Sequence, residues 1–295
     1  MTHKDWLAVL AAIAIAAAGG CAGEQPPESG GTPSLRLYVF DCGTLHYDNA
    51  DAYQLKREEV ARTDMSMACF LVKHSKGTLM WDVGAVADGG WTPTGSPVRM
   101  KIVLPDKGER DVTMRKTLKS QLAEAGYAIA DITYLALSHY HWDHTANAND
   151  FAGSTWLTRK PERDVMFSTP PPGRTIPANY SALANSKTVI IDQDTYDVFG
   201  DDTVVLKSAP GHTPGHQVLF LNLPKTGPVV LSGDLYHYPE ERTLSRLPAL
   251  DFNREQTAAS RAALEIFLNE KGAQLWIQHD IAGNEKLRKS PDYYD

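Results

Sequence analysis

Residues 138–144 read Ser-His-Tyr-His-Trp-Asp-His, and an apolar, strand-like run (ITYLALS) leads directly into them. In an extended chain, side chains two residues apart point the same way, so His139 and His141 can bind one metal ion together. Asp143 and His144 follow where the chain is expected to turn into a helix, and they can reach a second ion. A histidine-rich surface loop is the alternative, but three histidines and an aspartate within six positions favour a metal site.

Four further motifs follow strand-like runs elsewhere in the chain: Trp81-Asp82-Val83-Gly84, the stretch PGHTPGH with His212, Ser232-Gly233-Asp234, and Gln278-His279-Asp280. Each motif is weak evidence alone. In this order, and together with the HxHxDH segment, the motifs resemble those of the metallo-β-lactamase superfamily over nearly the whole chain after the leader.

This resemblance implies a fold and a ligand set. The fold would be α/β, a four-layer αβ/βα sandwich with two metal ions, expected to be Zn²⁺, at one edge of its two sheets. Borderline nitrogen and oxygen ligands suit zinc, and other divalent transition metals remain open. One ion would be bound by His139, His141 and His212, and the other by Asp143, His144 and His279, with Asp234 bridging them.

Two residues near these motifs have different expected roles. Asp82 would accept a hydrogen bond from a ligand imidazole and so orient it, although a carboxylate in a strand-end turn is the alternative. His216 follows Pro214-Gly215, and we expect it to cap the next strand rather than bind metal.

A dinuclear site of this kind activates water, so the resemblance implies hydrolysis of an ester, lactone, thioester or amide by a metal-bridging hydroxide. Asp234 argues against the β-lactamases of the superfamily, which generally lack a bridging carboxylate there. The motifs around His212 and His279 look most like those of the acyl-homoserine lactone lactonases. We therefore expect a lactonase that acts on N-acyl-homoserine lactones, with an arylesterase, thioesterase or β-lactamase as the alternative.

Three residues are candidates for catalytic roles. Asp143 would pass a proton to the leaving oxygen, by analogy with the lactonases. These enzymes commonly place a Tyr three residues after the bridging Asp, and this chain has His237 there. Either His237 or its neighbour Tyr236 would then donate to the carbonyl oxygen as negative charge develops on it, while Tyr238 is the less favoured alternative. Trp142 either lines the pocket or packs in the core.

The N-terminal residues predict export. Residues 1–20 resemble a signal peptide, because Lys4 precedes an apolar run that is too short to span a bilayer. Small residues before Cys21 resemble the lipobox of bacterial lipoproteins, although an Ala stands where a Leu is usual. We expect Cys21 to carry a lipid anchor in the periplasm or cell envelope, with plain secretion as the alternative. Residues 21–34 predict a Pro/Gly-rich tether, and residues 35–295 a single hydrolase domain.

Composition limits the partners. The 295 residues carry 36 Asp and Glu against 29 Lys and Arg, a formal net charge of −7. This balance argues against nucleic acid as a partner and leaves a small ester or lactone as the expected substrate. Cys42 and Cys69 could form a disulfide in an oxidising compartment or remain two buried thiols.

Patterning predicts strands within residues 35–41, 68–74 and 78–84, with a hairpin at 75–77, and at 132–138, 155–159, 188–192, 203–208, 216–222 and 228–232. One helix is predicted from the apolar stripe that begins at Met114 and stops at Gly126. A second is predicted from Asn253, as the first residue of a capping box with Gln256, to Gly272.

Overall fold

Two β-sheets pack face to face in the computed structural model, which describes residues 35–295. The predicted signal peptide and tether, including Cys21, lie outside the described residues. The larger sheet has the order β4-β5-β1-β2-β3-β6-β7-β8, with β14 also paired to β1. Its strands are β1 (Arg36–His46), β2 (Met65–His74), β3 (Gly77–Trp81), β4 (Val98–Val103), β5 (Glu109–Met114), β6 (Tyr134–Ala136), β7 (Thr155–Thr158), β8 (Thr188–Ile190) and β14 (Tyr293–Tyr294).

The smaller sheet has the order β13-β12-β11-β10-β9. Its strands are β9 (Thr195–Asp197), β10 (Val204–Ser208), β11 (Gln217–Leu223), β12 (Gly227–Leu231) and β13 (Gln274–Trp276). Six α-helices are seen in the described residues: α1 (Leu118–Glu124), α2 (Trp142–Thr145), α3 (Lys160–Met166), α4 (Pro239–Thr243), α5 (Arg254–Lys271) and α6 (Ile281–Lys286). None of the helices in this part of the chain combines the length and apolar character that crossing a membrane requires.

The buried side chains arrange these elements in four layers. Between the sheets, residues such as Leu37 and Trp81 pack against Leu221 of the opposite sheet. Helices α1 and α3 cover the outer face of the larger sheet, and α5 covers the smaller one through Leu264 and Leu268. Burying both faces of each sheet removes most apolar surface from water. The predicted αβ/βα sandwich is confirmed.

Most predicted elements are present, with one displaced helix and several missed strands. The hairpin at 75–77 is confirmed, because β2 and β3 pair antiparallel up to His74 and Gly77. Helix α5 begins after Asn253, whose side chain accepts from the Gln256 amide, and ends at Gly272 with φ of 60°. The start of the first predicted helix is wrong: Met114 ends β5, and α1 begins at Leu118 after its cap Thr117.

Strands β4 and β5 form a hairpin that the sequence did not predict, since its half-exposed residues lack a long apolar run. The short strands β9, β13 and β14 were also missed. Cys42 and Cys69 form a disulfide between β1 and β2, which decides between the two alternatives for these cysteines.

Candidate metal centre

Strand topology brings the predicted ligands to one edge of the sandwich. In the larger sheet, β3 and β6 are parallel, so Asp82 and the segment 138–144 leave from the same end. In the smaller sheet, β12 and β13 are parallel, which places Asp234 beside His279. A hydrogen bond from the Gln217 amide to the Ser138 carbonyl joins the two sheets at this edge.

All seven predicted ligands lie at this edge, in two groups. Within each group the donor atoms lie within 4.8 Å of one another, and only Asp143 among the seven is partly exposed. The first group contains His139, His141, His212 and Asp234, and the second contains Asp143, His144 and His279.

The Asp234 carboxylate lies between the groups and presents one oxygen to each. Its Oδ2 lies 3.5 Å from His139 Nε2 and 3.3 Å from His212 Nε2. Its Oδ1 lies 3.0 Å from both His144 Nε2 and His279 Nε2. This arrangement is the one that a carboxylate bridging two ions requires.

The remaining ring nitrogens of several histidines are held by the protein. His144 Nδ1 lies 2.8 Å from Asp82 Oδ2, which is the contact predicted for Asp82. His212 Nδ1 lies 2.9 Å from Asp251 Oδ1, and His279 Nδ1 lies 2.8 Å from the Ser66 carbonyl. An acceptor at Nδ1 favours the tautomer with its proton there and leaves Nε2 free to bind a metal.

The electrostatics of the cluster favour a bound cation. Burial holds the pKa of His139 and of His141 well below the usual value, so these rings are neutral and present lone pairs. Burial also opposes a charge on His144, but Asp234, Asp82 and Asp143 outweigh it and hold the His144 pKa well above its usual value. Without metal, the carboxylates therefore draw in protons, and a metal ion supplies the same positive charge.

The donor set fits transition-metal ions. Donors 2.0–2.1 Å from a tetrahedral zinc ion lie about 3.3–3.4 Å apart, close to the separations around Asp234. Asp234 Oδ1 and His144 Nε2 are buried and lie 3.0 Å apart, but neither makes a hydrogen bond of acceptable geometry. Buried polar atoms without partners are costly, and coordination would satisfy them.

His237 lies at the same edge. Its Nε2 is 3.2 Å from Asp234 Oδ2, and its Nδ1 is 3.3 Å from Glu241 Oε1. Its ring stacks on that of His279 at 5.6 Å between centroids. Burial would lower the His237 pKa, but Asp234 and Glu241 together raise it to about 10.

The two tyrosines beside His237 point away from the metal cluster. The Tyr236 hydroxyl donates to Glu265, and its ring lies under the Arg261 guanidinium at 4.2 Å. The Tyr238 hydroxyl donates to the Thr63 carbonyl. The structure thus brings His237 to the site and leaves Tyr236 on the far side of the strand end, because successive side chains on an extended segment face opposite ways.

A pocket opens onto the cluster. Its wall includes Asp143 and His237 together with the apolar side chains of Leu45, Met65 and Leu250. Trp142 also lines it, while packing against the buried cluster beneath, so both of its predicted roles hold.

Residues 63–275 match the model of the metallo-β-lactamase superfamily, which is more than two thirds of the chain. The chain belongs to the metallo-β-lactamase superfamily. Together with the two ligand groups and the Asp234 carboxylate between them, this membership supports a dinuclear metal centre.

Among members of the superfamily, the chain is similar to several curated lactonases. It is 26% identical over 273 residues to the N-acyl homoserine lactonase AttM of Azorhizobium caulinodans, covering 88% of this chain and 99% of that one. It is 27% identical over 268 residues to an N-acyl homoserine lactonase of a Bacillus species, covering 88% and 98%.

Solved structures of the superfamily show the same fold. A mutant of Bacillus thuringiensis AiiA with N-decanoyl-L-homoserine bound at its active site superposes with a TM-score of 0.71 at 22% identity, covering 88% of this chain and 98% of that one. The dizinc quorum-quenching lactonase AidC, in complex with a product, superposes with a TM-score of 0.62 at 20% identity, covering 88% and 94%.

Sequence reasoning missed a buried carboxylate that joins the ligand loops of this metallo-β-lactamase fold. Glu162 of α3 accepts hydrogen bonds from the Tyr140 amide, the Thr213 hydroxyl and the Gly215 amide, all at 2.8–2.9 Å. Tyr140 lies between two ligand histidines, and Thr213 follows His212. Burial raises the Glu162 pKa to about 7, although these bonds lower it. No local motif marked this residue.

His216 also has a role that the sequence did not predict. Its Nε2 accepts from the Asp234 amide at 3.0 Å, and its Nδ1 lies 3.0 Å from the Ala209 carbonyl. His216 therefore orients the segment that carries Asp234. His216 itself belongs to neither ligand group. Its proximity to Asp234 arises only when β11 and β12 pair, so spacing along the chain did not reveal it.

Proposed function

We propose that this protein is a zinc-dependent hydrolase that opens the lactone ring of N-acyl-homoserine lactones. The observation that carries the proposal is the Asp234 carboxylate, which lies between the two ligand groups and lines a pocket. When bound there, two metal ions would supply an activated water nucleophile and polarise the substrate carbonyl. The curated relatives that match 88% of the chain are named as lactonases, which supports this substrate over other esters.

The pocket wall suits an acylated substrate. Leu45, Met65 and Leu250 present apolar surface beside the ligands. An acyl chain buried there would gain about 0.8 kcal/mol per methylene group. The lactone would then lie toward Asp234 and His237, where the reaction takes place.

Asp143 is the proposed proton carrier. Its Oδ2 lies 3.9 Å from His144 Nε2 and 3.7 Å from His279 Nε2, and it is the partly exposed member of the ligand set. The carboxylate can take the proton released by the attacking water and pass it to the ring oxygen as the C–O bond breaks. An unprotonated alkoxide is a poor leaving group, so this transfer accelerates ring opening.

His237 is the proposed donor to the carbonyl oxygen. Its buried ring lines the pocket with Nε2 directed toward Asp234, and Glu241 lies behind its Nδ1. As water adds to the carbonyl, negative charge develops on oxygen, and a donor already in place stabilises that transition state more than the ground state.

The decisive experiment is a substrate panel on purified, zinc-loaded protein. N-acyl-homoserine lactones of several chain lengths are compared with an aryl ester, a thioester and a β-lactam, and kcat/KM is measured for each. We expect kcat/KM to be at least about tenfold higher on the lactones than on the other substrates. The apolar wall would bind the acyl chain, and Asp143 would protonate the leaving ring oxygen. A higher kcat/KM on the aryl ester, thioester or β-lactam would replace the lactonase assignment with that activity.

We also propose that the protein is exported and anchored through Cys21. The Cys42–Cys69 disulfide supports an oxidising compartment, because cytosolic thiols are kept reduced. Wild-type protein should partition into a detergent phase, whereas Cys21→Ser should be released or left unprocessed. Equal partitioning of the two forms would favour plain secretion instead.

A further inference from the structure

Two arginines line the pocket beside the metal ligands. Arg110 comes from β5 and Arg174 from the loop after α3, and both side chains are half-buried at the same pocket wall. Neither is part of the ligand set or of the proton transfer. The protein has a net charge of −7, so two cationic side chains in one pocket are a local exception. Such a pair favours the binding of an anion there.

The chain holds Arg174 close to the metal cluster. Its carbonyl accepts from the amide of Trp142, which stands between two ligands, and its Nη2 donates to the Leu250 carbonyl at 2.5 Å. Arg174 is thus attached to the segment that carries His141 and Asp143, and it lines the same pocket as these residues.

Tyr47 is a third residue of the pocket wall that contains Arg110 and Arg174. Burial raises the Tyr47 pKa, and the charges of Arg110 and Arg174 are the two main influences that oppose it. Both charges therefore act on one small region of the pocket.

Neither arginine pairs with a carboxylate in the part of the chain that the structure describes. Among residues 35–295, no carboxylate oxygen lies within 4.0 Å of the guanidinium nitrogens of Arg110 or Arg174. Arg110 Nη1 donates to the neighbouring Glu109 carbonyl, and Arg174 Nη2 donates to the Leu250 carbonyl. Most N–H groups of the two guanidinium groups therefore remain available to a ligand. Two like charges near a cationic metal centre repel one another, and an anionic ligand would relieve that repulsion.

We propose that Arg110 and Arg174 form an anion-binding subsite, and that the preferred substrates are lactones that carry a carboxylate away from the ring. This inference rests on the proposed lactonase function for the ring-opening half of the substrate. A carboxylate suits the subsite because guanidinium groups bind it through paired, charge-assisted hydrogen bonds. A neutral acyl chain would leave both guanidinium groups without a counter-charge.

Binding tests the subsite without requiring turnover. Isothermal titration calorimetry on the zinc-loaded protein compares straight-chain dicarboxylates of four to eight carbons with the monocarboxylate of equal length. Each pair offers one carboxylate to the metals, but only the dicarboxylate offers a second to the arginines. We expect the best dicarboxylate to bind roughly tenfold more tightly than its partner, and we expect added salt to reduce that gain.

Variants assign the gain to the two residues. Arg110→Gln and Arg174→Gln should each reduce the dicarboxylate advantage severalfold, and the double variant should abolish it. Arg99→Gln is the matched control, because Arg99 lies on the adjacent strand β4 and pairs with Asp111 at 2.9 Å outside the pocket. It should retain the full advantage.

Kinetics then test the substrate class. For two homoserine lactones of equal acyl length, one ending in a methyl group and one in a carboxylate, the kcat/KM ratio should favour the carboxylate, mainly through KM. That ratio should fall about tenfold in either Gln variant and stay constant in Arg99→Gln.

The outcomes separate this inference from the proposed function. No dicarboxylate advantage, or an advantage that survives in the double variant, overturns the subsite even if lactones are opened. An arginine-dependent advantage without hydrolysis of any lactone upholds the subsite and refutes the lactonase assignment.

Discussion

Asp234 joins the two halves of the site at the level of single residues. One of its oxygens faces His139 and His212, and the other faces His144 and His279. Burial opposes its charge, yet the surrounding histidines hold the Asp234 pKa well below its usual value. An ionised carboxylate at the centre is what lets one side chain serve two ions.

Replacing this carboxylate should therefore weaken both sites. We expect Asp234→Asn to reduce the metal content from about two ions per chain to about one or fewer, because the amide binds cations poorly. Elemental analysis measures this loss. Asp197→Asn is a control at the end of β9, because the Asp197 side chain accepts only from backbone amides of the following loop. Two ions retained by the Asp234 variant would contradict a bridging role.

The proton-transfer role of Asp143 has its own test. We expect Asp143→Asn to lose a hundredfold or more in kcat on a lactone, because the amide cannot carry the proton. Trp142→Phe, a change in the pocket wall, should lose far less. Metal content must be measured alongside, since Asp143 is also a ligand candidate. Near wild-type kcat with both ions present would rule the role out.

Substitutions of His237 and of its two tyrosine neighbours are expected to affect kcat differently. His237→Ala should lower kcat at least about tenfold with unchanged metal content, because a donor to the developing oxyanion is lost. Tyr236→Phe should have little effect on kcat, since its hydroxyl bonds Glu265 away from the site, and Tyr238→Phe likewise. Steady-state kinetics on one lactone compare the three. A silent His237→Ala with a damaging Tyr236→Phe would reverse the assignment.

Helix α3 connects the ligand-bearing loops at the level of elements. Glu162 receives hydrogen bonds from the loop of His139 and His141 and from the loop of His212. The helix approaches so closely that a Cβ on Gly215 would lie 2.6 Å from the Glu162 backbone nitrogen. Only glycine fits this position without displacing the helix.

We therefore expect Glu162→Ala to weaken the metal site of His139, His141 and His212 about tenfold or more, while the second site keeps its affinity. Competition with a graded series of chelators gives the two dissociation constants. Gln121→Ala is the matched control, because Gln121 is also a buried helical side chain that bonds a strand backbone, at Asp41. It should lower the melting temperature and leave both metal affinities unchanged. Equal weakening of both sites in Glu162→Ala would indicate general destabilisation.

At the scale of the whole molecule, the metal centre lies where the two sheets meet, so metal binding should stabilise the fold. Ligands come from the ends of β6, β10, β12 and β13, and these strands belong to both sheets. An ion bound only by the folded chain, at a thousand times its dissociation constant, stabilises it by about 4 kcal/mol.

Removing the metal should accordingly lower the melting temperature by roughly 10 °C, and two equivalents of zinc should restore it. Circular dichroism before and after dialysis against a chelator measures the shift. Asp234→Asn, which is expected to bind less metal, should show a smaller shift with the chelator than the wild type. Identical melting of the untreated and chelated wild type, with fewer than one ion bound per chain, would contradict the dinuclear model.

The ligand residues and the fold could be predicted from the sequence because their signals are local. Alternation along an extended chain places His139 and His141 on one side, and the order of the motifs indicates the superfamily. The same alternation places either Tyr236 or His237 toward the metals and cannot choose between them. The pairing of β11 with β12 and the packing of α5 place His237 toward the metal cluster and Tyr236 against α5.

Contacts across long sequence distances needed the tertiary structure. Asp251 lies 39 residues from His212, and Glu162 lies 51 residues from Thr213, yet each pair is hydrogen-bonded. Arg110 and Arg174 come from a hairpin and a loop that the sequence did not place at the pocket. Metal-ligand chemistry is encoded by residue type and short spacing, whereas the charge and shape of the pocket arise only when two sheets and their covering helices pack together.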